Sequence, residues 1–374
     1  MVVADLPIKL DLHTQGMEIN NTLKFSRFDL SEDRSLRAWS AADEYLLSVF
    51  KEEVEPSSVA IYNDRFGFLS GHIHSISPVV VTTNKSQEQA ISANLNQNGL
   101  SELTFLSPFE DIKTPVNRVL MKMPKSLGMF QLYLDHLVRN STDEVTVTFA
   151  FMTRHFSASL LKMAGEYFEV VEQSKAIKKA RLIHLSQKRP RVKRDLTTSI
   201  SYADRIYKQY LGVFSSDHID YATQYFLENI ATDESQETVL DLGSGNGVIG
   251  IEIGSKLPGA EIHLLDDSIF AIESAKLNST GEEFHHHYAN DLEIFKDETF
   301  DLIASNPPFH FEYDINIQIP IALFKSCYRC LKTGGELQLV ANKHLNYLTH
   351  LKPIFNSVEV LAENQKFVVY KCVK

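Results

Sequence analysis

Val239-Leu-Asp241-Leu-Gly243-Ser-Gly245-Asn-Gly247-Val-Ile-Gly250 decides the fold. Its first four residues form an apolar run that reads as a buried strand with Asp241 near its end. Three glycines in five residues then make a tight turn into a helix expected over Val248 to Leu257. Strand, glycine turn and helix are the ligand-binding unit of open α/β sheets, in which ligands lie at the carboxyl ends of the strands. Glycine lets the backbone approach a ligand closely, and the helix N-terminus offers oriented N–H groups.

Gly245-x-Gly247-x-x-Gly250 also satisfies the dinucleotide fingerprint, a weak signal when it stands alone. Asp241 separates the readings. A carboxylate ahead of the glycines suits the cationic amino-acid end of S-adenosylmethionine and would repel a pyrophosphate. The next strand, Glu261 to Leu265, ends in Asp266-Asp267-Ser268, an acidic end about 20 residues past the turn that can accept both ribose hydroxyls. S-adenosylmethionine and NAD share that ribose, so Asp266 does not discriminate between them. Asn290-Asp291 follows a short turn, where Asp291 either flanks the adenine or caps the local turn.

Further on, Phe300-Asp-Leu-Ile-Ala304 reads as a strand stopped by Ser305-Asn306-Pro307-Pro308-Phe309-His310. Neither proline has an N–H to extend a ladder, so the backbone is stiff and its carbonyls are free. An amide side chain, a free carbonyl and an aromatic ring are thereby held at a strand end. That set suits methyl transfer to a planar exocyclic amine. The amine donates to the Asn306 side-chain oxygen and the Pro307 carbonyl, and Phe309 stacks on the ring. Asn-Pro-Pro is also an ordinary turn signal; the glycine turn upstream favours the site.

The same order of elements occurs about 180 residues earlier. Val59 to Ser70 overlays Val239 to Gly250 without a gap, and Ser92-Ala-Asn-Leu-Asn96 with Gly99 overlays Ser274-Ala-Lys-Leu-Asn278 with Gly281. Met123-Pro124 overlays Asn306-Pro307, and Met152-Thr-Arg-His155 overlays Ala341-Asn-Lys-His344. Internal repetition of this kind implies two tandem copies of one α/β domain. The copies differ at the chemistry: Asn63 and Arg65 stand opposite Gly243 and Gly245, Asn84 opposite Asp266, and Met123 opposite Asn306. The first copy keeps the frame and loses the site.

A chain of 374 residues exceeds the ~250–300 at which one core stops growing, in keeping with two domains. The expected boundaries are 1–187 for the degenerate copy, 188–197 for a linker and 198–374 for the catalytic copy. Net charge is −11, which excludes bulk electrostatic binding of nucleic acid and leaves any such contact to a local patch. Gln187-Lys-Arg-Pro-Arg-Val-Lys-Arg194 is the dense basic run: a solvated linker, or a contact for RNA phosphates. Cys327, Cys330 and Cys372 make no disulfide framework and suit a reducing compartment. Cys327-x-x-Cys330 has no second pair and lies in a helical stretch, and His285-His-His287 reads as a solvated loop, so no metal is expected. Met1 to Leu10 shows no secretory leader and no run reaches the ~18 apolar residues of a membrane span, so a cytoplasmic protein is expected. Asn342 and His344 read as structural, the alternative being that they line the base pocket. Ser357 to Leu361 and Lys366 to Cys372 read as a closing antiparallel hairpin.

These features together resemble a class I methyltransferase. Gly212-Val-Phe-Ser215, Asn306-Pro-Pro-Phe-His310, Gly334-Gly-Glu-Leu337, Val340-Ala-Asn-Lys-His-Leu345 and Asn364-Gln-Lys-Phe-Val-Val369 are similar to the paired-domain ribosomal RNA guanine-N2 methyltransferases, large-subunit members ahead of small-subunit ones. At Ser216-Asp217-His218 this chain departs from the basic residue and glycine more usual in that family. The resemblance implies two tandem Rossmann-like methyltransferase domains, each a mostly parallel sheet with an antiparallel C-terminal hairpin. It implies S-adenosylmethionine as cofactor and the N2 amine of a guanine in 23S rRNA as target, acted on by a monomer. Alternatives are 16S rRNA or a protein glutamine side chain. The cofactor residues it implies are Phe214, Ser215, Asp241, Gly243, Ser244, Gly245, Gly247, Asp266, Asp267, Asn290, Asp291 and Asn306; the substrate residues are Asn306, Pro307, Pro308 and Phe309.

Overall fold

The computed structural model describes residues 22–27, 37–50, 58–215, 217–307 and 318–374. Met1 to Leu10, Ser216, Pro308, Phe309 and His310, on which expectations above rest, lie outside the described residues. Two seven-stranded sheets share one topology. The first contains β1 (Val59–Tyr62), β2 (Val79–Val81), β3 (Phe105–Leu106), β4 (Val116–Lys122), β5 (Ser141–Met152), β6 (Phe168–Gln173) and β7 (Ala180–Lys188) in the order β3-β2-β1-β4-β5-β7-β6. A hairpin of β8 (Thr197–Tyr202) and β9 (Arg205–Tyr210) follows. The second sheet contains β10 (Thr238–Leu242), β11 (Glu261–Asp266), β12 (Phe284–Tyr288), β13 (Phe300–Ser305), β14 (Leu331–Asn342), β15 (Ser357–Glu363) and β16 (Phe367–Val373) in the order β12-β11-β10-β13-β14-β16-β15.

In each sheet five parallel strands carry an antiparallel hairpin at one edge. The central strands are apolar on both faces because helices cover both sides. The duplication and the α/β class expected from sequence are thus present, as two tandem class I methyltransferase folds. In the second sheet β10 turns out to β11 and β12, then the chain returns to β13. The strand order reverses between β10 and β13, the switch point at which such sheets bind ligands.

The domains pack directly. Phe270, fully buried, joins the core of the first domain, its ring 5.6 Å from that of Phe109. The stretch after β2 meets the stretch after β11 antiparallel: Asn84 pairs with Ser268, Lys85 N–H donates to Asp267 O, and Ile269 N–H donates to Thr83 O. The β8–β9 hairpin, not foreseen from sequence, lies across the helices of the second domain. Tyr210 N–H donates to Ser274 Oγ, and Asn278 exchanges hydrogen bonds with the Lys208 backbone. Gly334-Gly335 lies inside β14 at a register shift, where a Cβ at Gly335 would come within 3.0 Å of Phe300 O. Among the described residues no helix is long and apolar enough to cross a membrane.

Candidate active site

Strand register brings the expected residues together. Leu242 on β10 pairs with Leu265 on β11 and with Ser305 on β13, so Gly243, Asp266 and Asn306 follow one another across three adjacent strand ends. Adjacent strands lie ~4.8 Å apart, within reach of one small ligand. Asp266 in turn pairs with Tyr288 on β12, which puts Asn290 two residues past that strand end.

The glycine turn is conformationally required. Gly243, Gly245 and Gly247 have φ of 77°, 55° and 85°, the left-handed region that L side chains resist. A Cβ on Gly245 would meet nothing within 4 Å, so the turn faces open space. A Cβ on Gly250 would sit 2.4 Å from Leu264, which is why the helix Val248–Lys256 can press against β11.

Asp241 is fully buried. Its Oδ2 accepts from Gly250 N–H at 2.8 Å, and its Oδ1 has no partner. Burial pushes its carboxyl up to about 7, and the nearby Asp266 carboxylate adds to the shift. Asp266 accepts from Gly245 N–H at 2.9 Å and from Ser268 N–H at 2.8 Å, and burial pushes it up to about 6. A cation entering beside these two carboxyls would restore both to the charged form.

Asn306 is oriented from behind. Its Nδ2 donates to Asp220 Oδ2 at 3.1 Å and to Thr223 Oγ1 at 2.9 Å. The carboxylate partner fixes the amide, since only the NH2 end can face an acceptor. Asp220 is itself held as the N-cap of the helix Tyr221–Asn229, accepting from Ala222 N–H and Thr223 N–H. Asn306 Oδ1 is buried and has no partner among the described residues. Ser305 Oγ ties β13 to β10 by donating to Leu242 O at 2.7 Å.

Native proteins pair nearly all buried polar atoms, so exceptions mark places where something is missing. Among the described residues, the second domain has four such side-chain atoms: Asp241 Oδ1, Ser244 Oγ, Asn290 Oδ1 and Asn306 Oδ1. All four lie around the carboxyl ends of β10, β12 and β13. The crevice therefore presents a carboxylate oxygen for a cation, an acidic strand end for a diol, and amide oxygens for N–H donors. That donor set fits S-adenosylmethionine beside an amine.

Several expected residues stand elsewhere. Asp267 is taken up by the first domain: Ser86 N–H and Oγ–H donate to it at 2.7 and 2.6 Å, and Asn84 Nδ2 at 3.1 Å. Asn290 Nδ2 donates to Gln89 of that domain at 2.8 Å. Asp291 Oδ1 accepts from Glu293 N–H at 3.0 Å, the local cap that was the other reading of it. Phe214 is 79% exposed. Ser215 has a φ of 58° and its hydroxyl donates to His218 O. Sequence reasoning missed Asp220 and Thr223 as holders of Asn306, although an Asp before a helix was visible as a cap signal. It also missed Gln209, buried, which accepts from Asn246 in the glycine turn at 2.9 Å and donates to Ser215 O at 3.1 Å.

The corresponding places in the first domain are filled by its own side chains. Asn63 has φ 61° where Gly243 stands in the other copy, and its amide donates to Lys122 O. Asp64, buried, accepts from Ser70 N–H and Oγ–H at 2.7 Å each. Lys122, matching Ser305, forms a 2.7 Å ion pair with buried Asp43, which matches Thr223.

His285 to His287 are corrected from loop to strand β12. Parallel pairing sets His285 beside His263 and near Glu261, with their ligand atoms within 4.8 Å of one another, so the solvated-loop reading no longer argues against a metal here. That cluster belongs to the opposite end of β11 from the crevice. Cys327, Cys330 and Cys372 are free and buried, and burial raises all three thiols, that of Cys372 to about 12, as core residues.

Comparison with known proteins completes the description. Residues 14–189 match the RLMG N-terminal domain and residues 205–371 the methyltransferase small domain. The chain is 31% identical over 373 residues to ribosomal RNA large subunit methyltransferase G of Psychromonas ingrahamii, covering 95% of this chain and 97% of that one. It is 32% identical over 382 residues to the protein of the same name from Yersinia pseudotuberculosis, covering 98% and 94%. A solved T. thermophilus 16S rRNA N2 G1207 methyltransferase, in complex with AdoMet and guanosine, shares the fold with a TM-score of 0.72 at 18% identity, over 90% of this chain and 92% of that one.

Proposed function

We propose, for a chain that belongs to the ribosomal RNA large subunit methyltransferase G family, that the crevice moves a methyl group from S-adenosylmethionine to the N2 amine of a guanine in large-subunit (23S) rRNA. The carrying observation is the set of four unpartnered polar atoms, above all Asn306 Oδ1. When bound, S-adenosylmethionine supplies an electrophilic methyl on a positively charged sulfur. Asp241 favours that positive ligand, Asp266 takes its ribose hydroxyls, and Gly243 to Gly247 give it close backbone approach. Asn290 Oδ1 accepts from the adenine amine, and Phe214 and Ser215 close over the site. Asp267 supports Asp266 and leaves direct contact to it.

Asn306 Oδ1 accepts one N–H of the guanine amine, and the Pro307 carbonyl accepts the other. Held this way, the nitrogen lone pair points at the methyl group. Pro308 stiffens the turn and Phe309 stacks on the base, which has left its helix at an unstacking cost of a few kcal/mol. Neither acceptor is a base at neutral pH, so positioning supplies the acceleration and the proton leaves to water after transfer. The transfer itself calls for no metal in the crevice, and the protein acts as a cytoplasmic monomer. Asn306→Ala should abolish transfer of labelled methyl to rRNA while calorimetric cofactor binding persists. Loss of both would overturn the division of roles. Label appearing in 16S rRNA, or in protein, in place of 23S rRNA would overturn the target.

A further inference from the structure

Beside the basic linker lies a cavity of about 220 Å³ that the chemistry above does not use. It is smaller than the ~300–1,000 Å³ of a typical small-molecule site, enough for one flat ring and its attachments. Its floor is the helix Leu127–Arg139, where Leu132 and Asp135 are buried. Phe109 and Tyr210 form an aromatic wall, their rings 4.7 Å apart and edge to face. The rim is cationic: Arg191 and Lys193 are exposed and lack ion-pair or hydrogen-bond partners among the described residues.

The linker is not a free tether. Arg189 N–H donates to Tyr167 O at 2.8 Å, Arg194 donates to Glu166 O at 3.0 Å, and the Arg194 guanidinium lies 3.9 Å above the Tyr167 ring. These contacts hold Arg191 and Lys193 over the mouth. His136 on the floor is already spent. Its Nδ1 faces Tyr62 Oη at 2.7 Å and its Nε2 faces Glu110 O at 2.8 Å, so both ring nitrogens are engaged away from the cavity, and burial pushes the imidazole down to about 4, which keeps it neutral. Asp135 is different. It is 94% buried and has no hydrogen-bond or ion-pair partner among the described residues.

A phosphate seated deep would be repelled by Asp135, and a cation would be repelled by the rim. A nucleotide satisfies both, with its phosphate at the rim, its base against the rings and base N–H groups on the carboxylate. A carboxylate is acceptor-only, with two oxygens side by side. Guanine matches it with two N–H donors on one edge; adenine, cytosine and uracil do not. We propose that this cavity holds one unpaired guanosine nucleotide of the RNA, apart from the base that is methylated. The proposal rests on RNA being the substrate.

The test uses the full chain and fluorescein-labelled single-stranded RNA oligomers carrying guanosine or inosine, which lacks the N2 amine, followed by anisotropy over a salt series. Wild type is compared with R191A/K193A and with D135N; the crevice contributes alike to all three and cancels in the comparison. R191A/K193A should weaken binding and flatten the slope of log K against log salt by about 1.4, roughly 0.7 per lost phosphate contact on a single strand. D135N should cut the preference for guanosine over inosine about five- to a hundredfold. Competition by free GMP at the concentration of the oligomer would reassign the cavity to a free nucleotide and overturn the RNA reading. So would an unchanged salt slope in R191A/K193A, whose changes lie on the exposed rim and leave folding intact. Methyl transfer measured in parallel separates the two claims: a wild type that binds RNA here and methylates none fails the activity alone.

Discussion

Asp241→Asn should make the cofactor-free protein more stable and the cofactor bind worse. Asp241 is buried, with one oxygen unpartnered, and its carboxyl is pushed up to about 7. Against an ordinary value near ~3.9, that is a shift of about three units, or about 4 kcal/mol of cost for the charged form. The folded pKa lies above the unfolded one, so the native state holds the extra proton between about pH 4 and pH 7 and stability falls as pH rises through that window. From pH 6 to 8 the fall from Asp241 should be about 1.4 kcal/mol, and Asp266, at about 6 and half titrated where the window opens, adds about 0.4 kcal/mol that the variant keeps. The Asn variant lacks the Asp241 contribution, and its Oδ1 can still accept from Gly250 N–H. Urea unfolding at pH 6, 7 and 8 should therefore show a flatter profile and about 1–3 kcal/mol more stability at pH 8. Cofactor affinity should drop roughly 10- to 100-fold through the lost charge. Calorimetry in two buffers at pH 6.5 should show wild type releasing protons on binding and the variant releasing fewer. A variant less stable than wild type at pH 8, or one with unchanged proton release, would refute the reasoning.

Thr223→Val removes one of the two groups that hold Asn306 Nδ2. Single-turnover transfer should slow about tenfold, with cofactor affinity unchanged. Gly245→Ala puts a Cβ into the open cradle at φ 55°. Strain of about 1–2 kcal/mol should lower Tm by a few degrees, and cofactor Kd measured by calorimetry should rise at least about tenfold. Lys122→Ala removes the ion-pair partner of buried Asp43, leaving its Ser40 donors, and should destabilise the first domain by about 3 kcal/mol in denaturant titration.

The parts of this molecule that were legible in the sequence are those set by local rules. Val239 to Gly250 declared a strand, a turn and a helix because three left-handed glycines have few other uses, and the same pattern at Val59 to Ser70 declared the second copy. Asn306-Pro307 declared a strand end because proline forbids continuation. What stayed hidden depends on contacts far apart in the chain. Thr223 and Asp220 hold Asn306 from 83 and 86 residues away. Asp267 looked like a second ribose acid, but its partners Asn84 and Ser86 belong to the other domain. His285 looked isolated because periodicity along β12 says nothing about the neighbour that register supplies on β11. The β8–β9 hairpin was obscured by its polar composition, since only Ile200, Tyr207 and Gln209 turn inward.

The interdomain contact explains why a copy without a site is still part of the machine. Asn84 aligns with Asp266, so Lys85 aligns with Asp267, and these two are the residues that meet: Lys85 N–H donates to Asp267 O. Asn84 pairs with Ser268, and Thr83 O accepts from Ile269 N–H, antiparallel. Matching stretches of the two domains therefore meet each other. The contact falls on the loop that presents Asp266, and it draws on three donors to Asp267 and on Phe270 buried in the foreign core. A second domain standing alone would expose Phe270 and leave Asp267 without those donors, one residue from the acid proposed to take the cofactor ribose. The first domain's own turn is closed by Asn63 and Asp64 and its strand end by the Lys122–Asp43 pair, so it offers a packed surface to the loop whose Asp266 accepts from Gly245 N–H.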